Sequence, residues 1–177
     1  KSVFEVLEKA RAEGKIGYYG IAVWNAFLYE PTNMEYISLK RVHEAAILAG
    51  GEQNGFKFIQ MPYNLGKTHA YIYQNQELDG LFFTPIQAAK KLGLNVITSS
   101  SLLQMNIFKK PFSESFRSLI GLEYATDIQR ALQFARCAPG VSASLVGTSD
   151  AEHVMHDMEI AKFARTSKAN YEEIFKL

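Results

Sequence analysis

The chain holds a single cysteine, Cys137, so it has no internal disulfide, and a reducing compartment, the cytoplasm, fits it. No apolar run is long enough to span a bilayer. Neither a signal peptide nor an initiator Met opens the chain, so the expectation is a fragment, or a processed or trimmed chain. The net charge of +1 leaves no electrostatic footprint for nucleic acid or for an anionic membrane. No internal repeat with a clear period is present. What remains is 177 residues, 47% of them hydrophobic, enough for one domain with a real core over residues 1–177.

Capping boxes and glycines punctuate the chain. Ser2–Glu5, Thr32–Glu35, Thr84–Gln87, Thr126–Gln129 and Ser149–Glu152 each have the form of a helix start, with Pro85 set at a first helical position. Apolar residues follow each box at helical spacing, and Gly14, Gly50–Gly51 and Gly93 close three of these helices. Between them lie segments rich in β-formers, which predict strands over 16–23, 56–61, "LNVITS" and 142–147. A last short helix over 168–176 reads as peripheral.

Strands alternating with amphipathic helices mean parallel βα units with right-handed crossovers. The two layouts available are an open doubly wound sheet and part of a (βα)8 barrel. A full barrel needs roughly 250 residues, and four strands are in view. The doubly wound layout is the weaker of the two, because "GIAVWNAF" lacks the G-x-G-x-x-G phosphate turn.

In either layout ligands bind where strands end. Those ends carry Val23–Asn25, Gln60–Asn64, Thr98–Ser101 and Val146–Ser149, which are amides and hydroxyls without a strong acid or base. Such groups hold a carboxamide, a sugar or a phosphate, but they move no proton efficiently at neutral pH. The hydroxyl run Thr98–Ser101 reads either as a plain loop or as a pocket lining. Gly147, Thr148 and Ser149 precede a helix, where free N–H groups attract anions; equally, Ser149 caps that helix. His153, His156 and Asp157 read as a solvated helix face, and no metal is expected there. His43 and His69 read as surface or turn residues. Trp24 is either a stacking platform or a plug at a barrel mouth. Cys137 reads as ordinary packing.

Four landmarks in order, "EGKIGYYGIAVWNAF", "FIQMPYNL", "AAKKLGLNVITSSSLLQ" and "PGVSASLVGTSDAEHVMHDM", resemble the C-terminal half of the aldo/keto reductase family over about residues 2–162. The resemblance implies the last four strands of a (βα)8 TIM barrel and a parent NADP(H)- or NAD(H)-dependent carbonyl reductase acting on a small carbonyl substrate. It implies that Gln60 holds the nicotinamide carboxamide and that Asn25, with one residue inserted before it, matches the family asparagine. Ser100 matches the serine of the seventh strand, Leu102 a backbone contact position, and Thr148 a small polar residue near the adenosine phosphate. Gln104, Gly147 and Ser149 belong to the same cofactor-binding segments.

Departures from the family pattern are specific. Ser99 stands where the family has its nicotinamide-stacking tyrosine, and Trp24 is the residue available to replace that stack. His153 stands near the usual basic residue for a 2′-phosphate, and Asp157 replaces an asparagine. The family's catalytic residues belong to its first four strands, which are absent here, so the chain alone is expected to be inactive. The competing readings are a non-enzymatic binding or scaffold module on the same fold and, more weakly, an isomerase-type barrel half that grips a phosphosugar at Gly147–Ser149. An open four-stranded layout leaves two edges without a proline or charge at their centres, and partly wet apolar residues such as Ile21, Ile59, Ile97 and Val146. The expected partner is therefore the missing N-terminal half, or a second copy in a homo-oligomer.

Overall fold

The computed structural model describes residues 2–121, 123, 124 and 126–177. Four parallel strands make one sheet in the order β1 (Tyr19–Ala22), β2 (Phe56–Pro62), β5 (Asn95–Ser99) and β6 (Val141–Ser144). Neighbours in the sheet follow chain order. A doubly wound sheet reverses its order at a switch point, whereas a barrel does not. A short helix, α3 (His69–Ile72), and a separate antiparallel hairpin, β3 (Gln76–Leu78) and β4 (Leu81–Phe83), lie in sequence between β2 and β5. The chain divides into two compact units, Lys1–Met61 with His69–Ile97, and Pro62–Thr68 with Thr98–Leu177.

In the first unit, helix α1 (Ser2–Ala12) is tied down through one carboxylate. Glu8 accepts from the Gly55 N–H at 2.7 Å and from the Tyr19 hydroxyl at 2.8 Å, and Arg11 donates to it at 3.1 Å. Burial alone would raise the Glu8 carboxyl, but these three donors outweigh it and hold the group below its usual range. The Tyr19 hydroxyl is pushed up by burial and by the Glu8 charge. Gly20 on β1 is paired with Phe58 of β2, and a Cβ at Gly20 would collide with the Phe58 carbonyl, so only glycine allows this approach. Phe27, Leu39, Ala46, Ile59, Met61, Ile86 and Val96 fill the core of this unit.

Two starts differ from expectation. The helix expected from Thr32–Glu35 is α2 (Leu39–Gly50), capped by Ser38, whose side chain accepts from the Arg41 N–H; the Thr32 segment is irregular. Ser2, expected as a cap, is the first helical residue of α1. The box at Thr84 forms in full, with Thr84 and Gln87 exchanging both bonds at the start of α4 (Pro85–Lys91). His43, expected at the surface or in a turn, is half-buried on α2, and burial lowers its pKa. Ile59, expected to be partly wet, is fully buried. The first strand covers 19–22 rather than 16–23, with a register shift between Tyr19 and Gly20.

The second unit is built on an aromatic stack. Phe134 of α6 (Asp127–Cys137) stacks on Tyr63 at 5.5 Å and on Tyr171 at 5.1 Å, and the two tyrosine hydroxyls share a hydrogen bond of 2.6 Å. Tyr171 lies on α8 (Lys168–Glu173) and is fully buried, so the last helix is not peripheral. α6 starts at the expected cap, Thr126. Its polar side chains hold the last turn of α7 (Ala151–Met158) and the segment after it: Gln129 donates to His156 O, Gln133 to Ala164 O, and Arg136 to Ile160 O and Phe163 O. Cys137 is buried and accepts from the Thr166 N–H, as packing alone would have it. A 3-10 stretch (Leu103–Phe108) and α5 (Glu114–Ile120) had no counterpart in the sequence reading.

β6 stops at Ser144, so Leu145 and Val146 of the expected strand lie past its end and are exposed. Its carbonyls also meet a charge that the strand sequence does not contain. Arg165 donates to Val141 O at 3.2 Å and to Ser142 O at 3.4 Å.

Candidate functional site

In the first unit, β1 and β2 end side by side. The Val23 N–H donates to Gln60 O at 2.9 Å, and Ala22 pairs with Gln60. This brings Trp24, Asn25 and Gln60 to adjoining strand ends. Trp24 is 71% exposed. Asn25 is half-buried; its Nδ2 donates to the Tyr29 hydroxyl, and its carbonyl accepts from the Leu28 and Tyr29 N–H groups in a tight turn. Gln60 is half-buried on β2.

In the second unit the hydroxyl run after β5 divides by task. Thr98 bonds to the Ser144 hydroxyl at 2.6 Å, and Ser101 donates to Leu145 O at 2.8 Å, so these two tie the ends of β5 and β6 together. Ser99 and Ser100 remain half-buried. The backbone then turns through left-handed geometry at Ser100, Leu103, Gln104 and Met105, with φ between 47° and 65°. Non-glycine residues held there cost about 1 kcal/mol or more each, and such strain gathers at binding sites. The result is a cleft of about 250 Å³ lined by Ser100, Ser101, Leu102, Gln104, Val146 and Gly147, among others.

A second cleft in the same unit, about 400 Å³, lies between β6 and α7, and Val146, Thr148, Val154, Asp157, Arg136 and Arg165 are among its lining residues. Val146, 42% exposed, is common to both clefts. The expected site residues of this unit are thus shared out. Ser100, Leu102, Gln104 and Gly147 line the smaller cleft, and Thr148 and Asp157 the larger. Ser99, Ser149 and His153 line neither.

The start of α7 corrects two expectations. Its cap is Asp150, not Ser149: the Asp150 carboxylate accepts from the Glu152 and His153 N–H groups, which hold its pKa below the usual range. Thr148 in turn accepts from the Asp150 N–H at 3.1 Å. A negative charge therefore already occupies part of the helix N-terminus that would draw an anion. Asp157 is buried, so the face carrying His153, His156 and Asp157 is not solvated throughout. Among the described residues no three His, Cys, Asp or Glu side chains gather closely enough to hold a metal ion.

Asp150 went unnoticed because Ser149 stands three residues before Glu152 and completes the box pattern, while an aspartate one position later caps equally well. Ser101, within the run that reads as loop or as lining, both lines the smaller cleft and ties the strands. Chemically, the clefts offer a side-chain amide, hydroxyls, two guanidinium groups and strained backbone.

Known proteins supply a fold for this arrangement. An aldo-keto reductase from Bacillus halodurans, in its holo form, matches 98% of this chain and 54% of its own, at 16% identity and a TM-score of 0.61. A thermostable aldo-keto reductase in complex with the inhibitor epalrestat matches 98% and 53%, at 18% identity and a TM-score of 0.61. The chain thus spans about half the length of these structures and has the fold of half an aldo-keto reductase chain. No protein-family model and no curated protein matches its sequence. Among the described residues no helix is long and apolar enough to cross a membrane.

Proposed function

We propose that the chain is the cofactor-binding half of a nicotinamide-dependent carbonyl reductase, inactive until the catalytic half of the barrel is supplied. The observation that carries this reading is the pairing of a 98% match to half of an aldo-keto reductase chain with the clefts and amide groups at the strand ends. When bound, NAD(H) or NADP(H) supplies the hydride. This chain's own residues bind and orient it. Gln60 offers a carboxamide, able both to donate and to accept, to the amide of the nicotinamide. Asn25 adds a second amide nearby. Trp24 offers a flat face where Ser99 cannot. Ser100, Leu102 and Gly147 line a cleft suited to a polar chain such as a pyrophosphate, and Thr148 and Asp157 line the larger one beside it.

The donor set fits a dinucleotide, and charges of both signs surround it. Asp150 caps α7, and Asp157, Arg136 and Arg165 line the adjoining cleft. An extra 2′-phosphate there meets carboxylates and guanidinium groups together, so NADH and NADPH are both candidate ligands. Proton transfer is another matter. A positioned general acid contributes roughly 10²–10⁴-fold, and the tyrosine nearest a strand end, Tyr63, is buried with its hydroxyl on Tyr171. The chain alone should therefore leave carbonyls untouched. Its partner is the N-terminal half or a second copy, and its place is the cytoplasm.

One observation favours a second reading, a binding or scaffold module that kept the fold. The Thr98 and Ser101 hydroxyls are committed to other protein groups, and a carboxylate sits at the start of α7. The same carboxylate weighs against a phosphosugar site. Calorimetry with NADH and NADPH, alongside the fluorescence of Trp24, separates the first two readings. Submillimolar binding with a changed Trp24 signal supports the reductase half. No heat and no change at millimolar cofactor supports the scaffold. Cofactor oxidation with a reactive aldehyde by this chain alone would contradict the proposed inactivity.

A further inference from the structure

We infer that Asn75 and Gln76, far from the strand ends in sequence, are positioning residues that set the place of Trp24 and Asn25. The inference rests on the reading of those two residues as cofactor contacts. The segment 23–38 between β1 and α2 has little regular structure, yet Phe27 and Leu28 are buried. Buried carbonyls need partners, and here two neighbouring amides supply them. Asn75 Nδ2 donates to Phe27 O at 2.9 Å and to Tyr29 O at 2.6 Å. Gln76 Nε2 donates to Phe27 O at 3.0 Å and to Ile37 O at 3.3 Å, while its Oε1 accepts from the Leu39 N–H at 2.8 Å and from the Tyr36 hydroxyl at 3.3 Å. Tyr36 also donates to Asn75 O at 2.9 Å.

Both side chains are almost fully buried. Together they hold the loop at its start (Phe27, Tyr29) and at its end (Ile37, Leu39). The turn that fixes Asn25 runs from Asn25 O to the Leu28 and Tyr29 N–H groups, and the Ile37 N–H closes the base on Ala26 O. Every carbonyl that Asn75 holds is therefore inside or next to the turn that aims Asn25, one residue after Trp24. The two amides are not equivalent. All of Gln76's polar atoms are paired, whereas Asn75 Oδ1 is buried without a partner. Removing Gln76 takes the side-chain partner from Ile37 O and from the Leu39 N–H, whereas removing Asn75 takes it from Tyr29 O alone and also removes an unmet acceptor, so its loss costs less.

The test uses Gln76→Leu, Asn75→Leu and, as a control, Ile86→Val, a core change in the same unit. Trp24 is the only tryptophan, so its fluorescence anisotropy reports this loop alone. The expected result is lower Trp24 anisotropy and about tenfold weaker NADH binding in Gln76→Leu, equivalent to about 1.4 kcal/mol, a smaller loss in Asn75→Leu, and neither change in Ile86→Val at a comparable melting temperature. If Gln76→Leu fails to fold, Asn75→Leu decides. Variants that bind NADH like the control and keep the Trp24 anisotropy overturn the positioning role. If the unsubstituted chain binds no NADH, the functional reading fails, and Trp24 anisotropy still decides whether the two amides order the loop.

Discussion

The loop after β1 and the loop after β5 both present a strand end to a possible ligand, and they are held in opposite ways. The first is held from outside, by two amides from just before and within a distant hairpin. The second is held by its own hydroxyls, Thr98 and Ser101, and by a run of left-handed backbone. A loop ordered from outside can be loosened without changing its own residues. A loop ordered from within changes its lining whenever its support changes. The first arrangement separates support from contact, and the second merges them in four consecutive residues.

The deepest way to break this contrast is to unfold one side only. Phe134→Ala removes the centre of the stack with Tyr63 and Tyr171 and should cost about 3–5 kcal/mol. Hydrogen exchange should then show β6 and α8 losing protection while α1, β1 and α2 keep theirs; uniform loss would show that the two units unfold as one.

Acid gives the converse. The Glu8 pKa is held below its ordinary value of 4.5, so its stabilisation is full above that value and is lost as pH falls through the lower, folded one. Glu8→Gln should cost about 1–3 kcal/mol at pH 7 and flatten the acid limb of a denaturation series. An acid limb that keeps its slope would place the acid sensitivity elsewhere.

Ser101→Ala should cost about 1 kcal/mol by freeing Leu145 O. It should weaken NADH binding as well, because support and lining coincide there; stability lost with affinity unchanged would separate them. The smallest effect is expected from Asp150→Asn, which keeps a cap and removes a charge. NADPH affinity should gain about two- to five-fold relative to NADH, read by paired calorimetric titrations.

Local patterns were legible where they were complete within a few residues. Thr84–Gln87 with Pro85 formed as read, as did the helix start at Thr126 and the strand over Phe56–Pro62. Thr32–Glu35 failed because nothing downstream of it repeats apolar residues into a packed face until Leu39, and Ser38 offers the better cap. The β3–β4 hairpin turns at Asp79–Gly80, both with positive φ, and that dipeptide was a signal available in the sequence. The role of Asn75 and Gln76 was not available there, since a buried amide's partners lie some forty residues away. The same holds for Arg165, which bonds two β6 carbonyls from a position no strand pattern includes. Of the candidate site, strand ends could be located by pattern, but which hydroxyls were free and which were spent on the fold depended on tertiary contacts.

Amide hydrogen exchange with and without saturating NADH tests the central claim most directly. A cofactor held at these strand ends predicts slowed exchange at Trp24–Asn25, Ser100–Gln104 and Gly147–Thr148, with the hairpin at 76–83 unchanged. Exchange that is the same at all three segments, under conditions where a bound control protein shows its own protection, would contradict it.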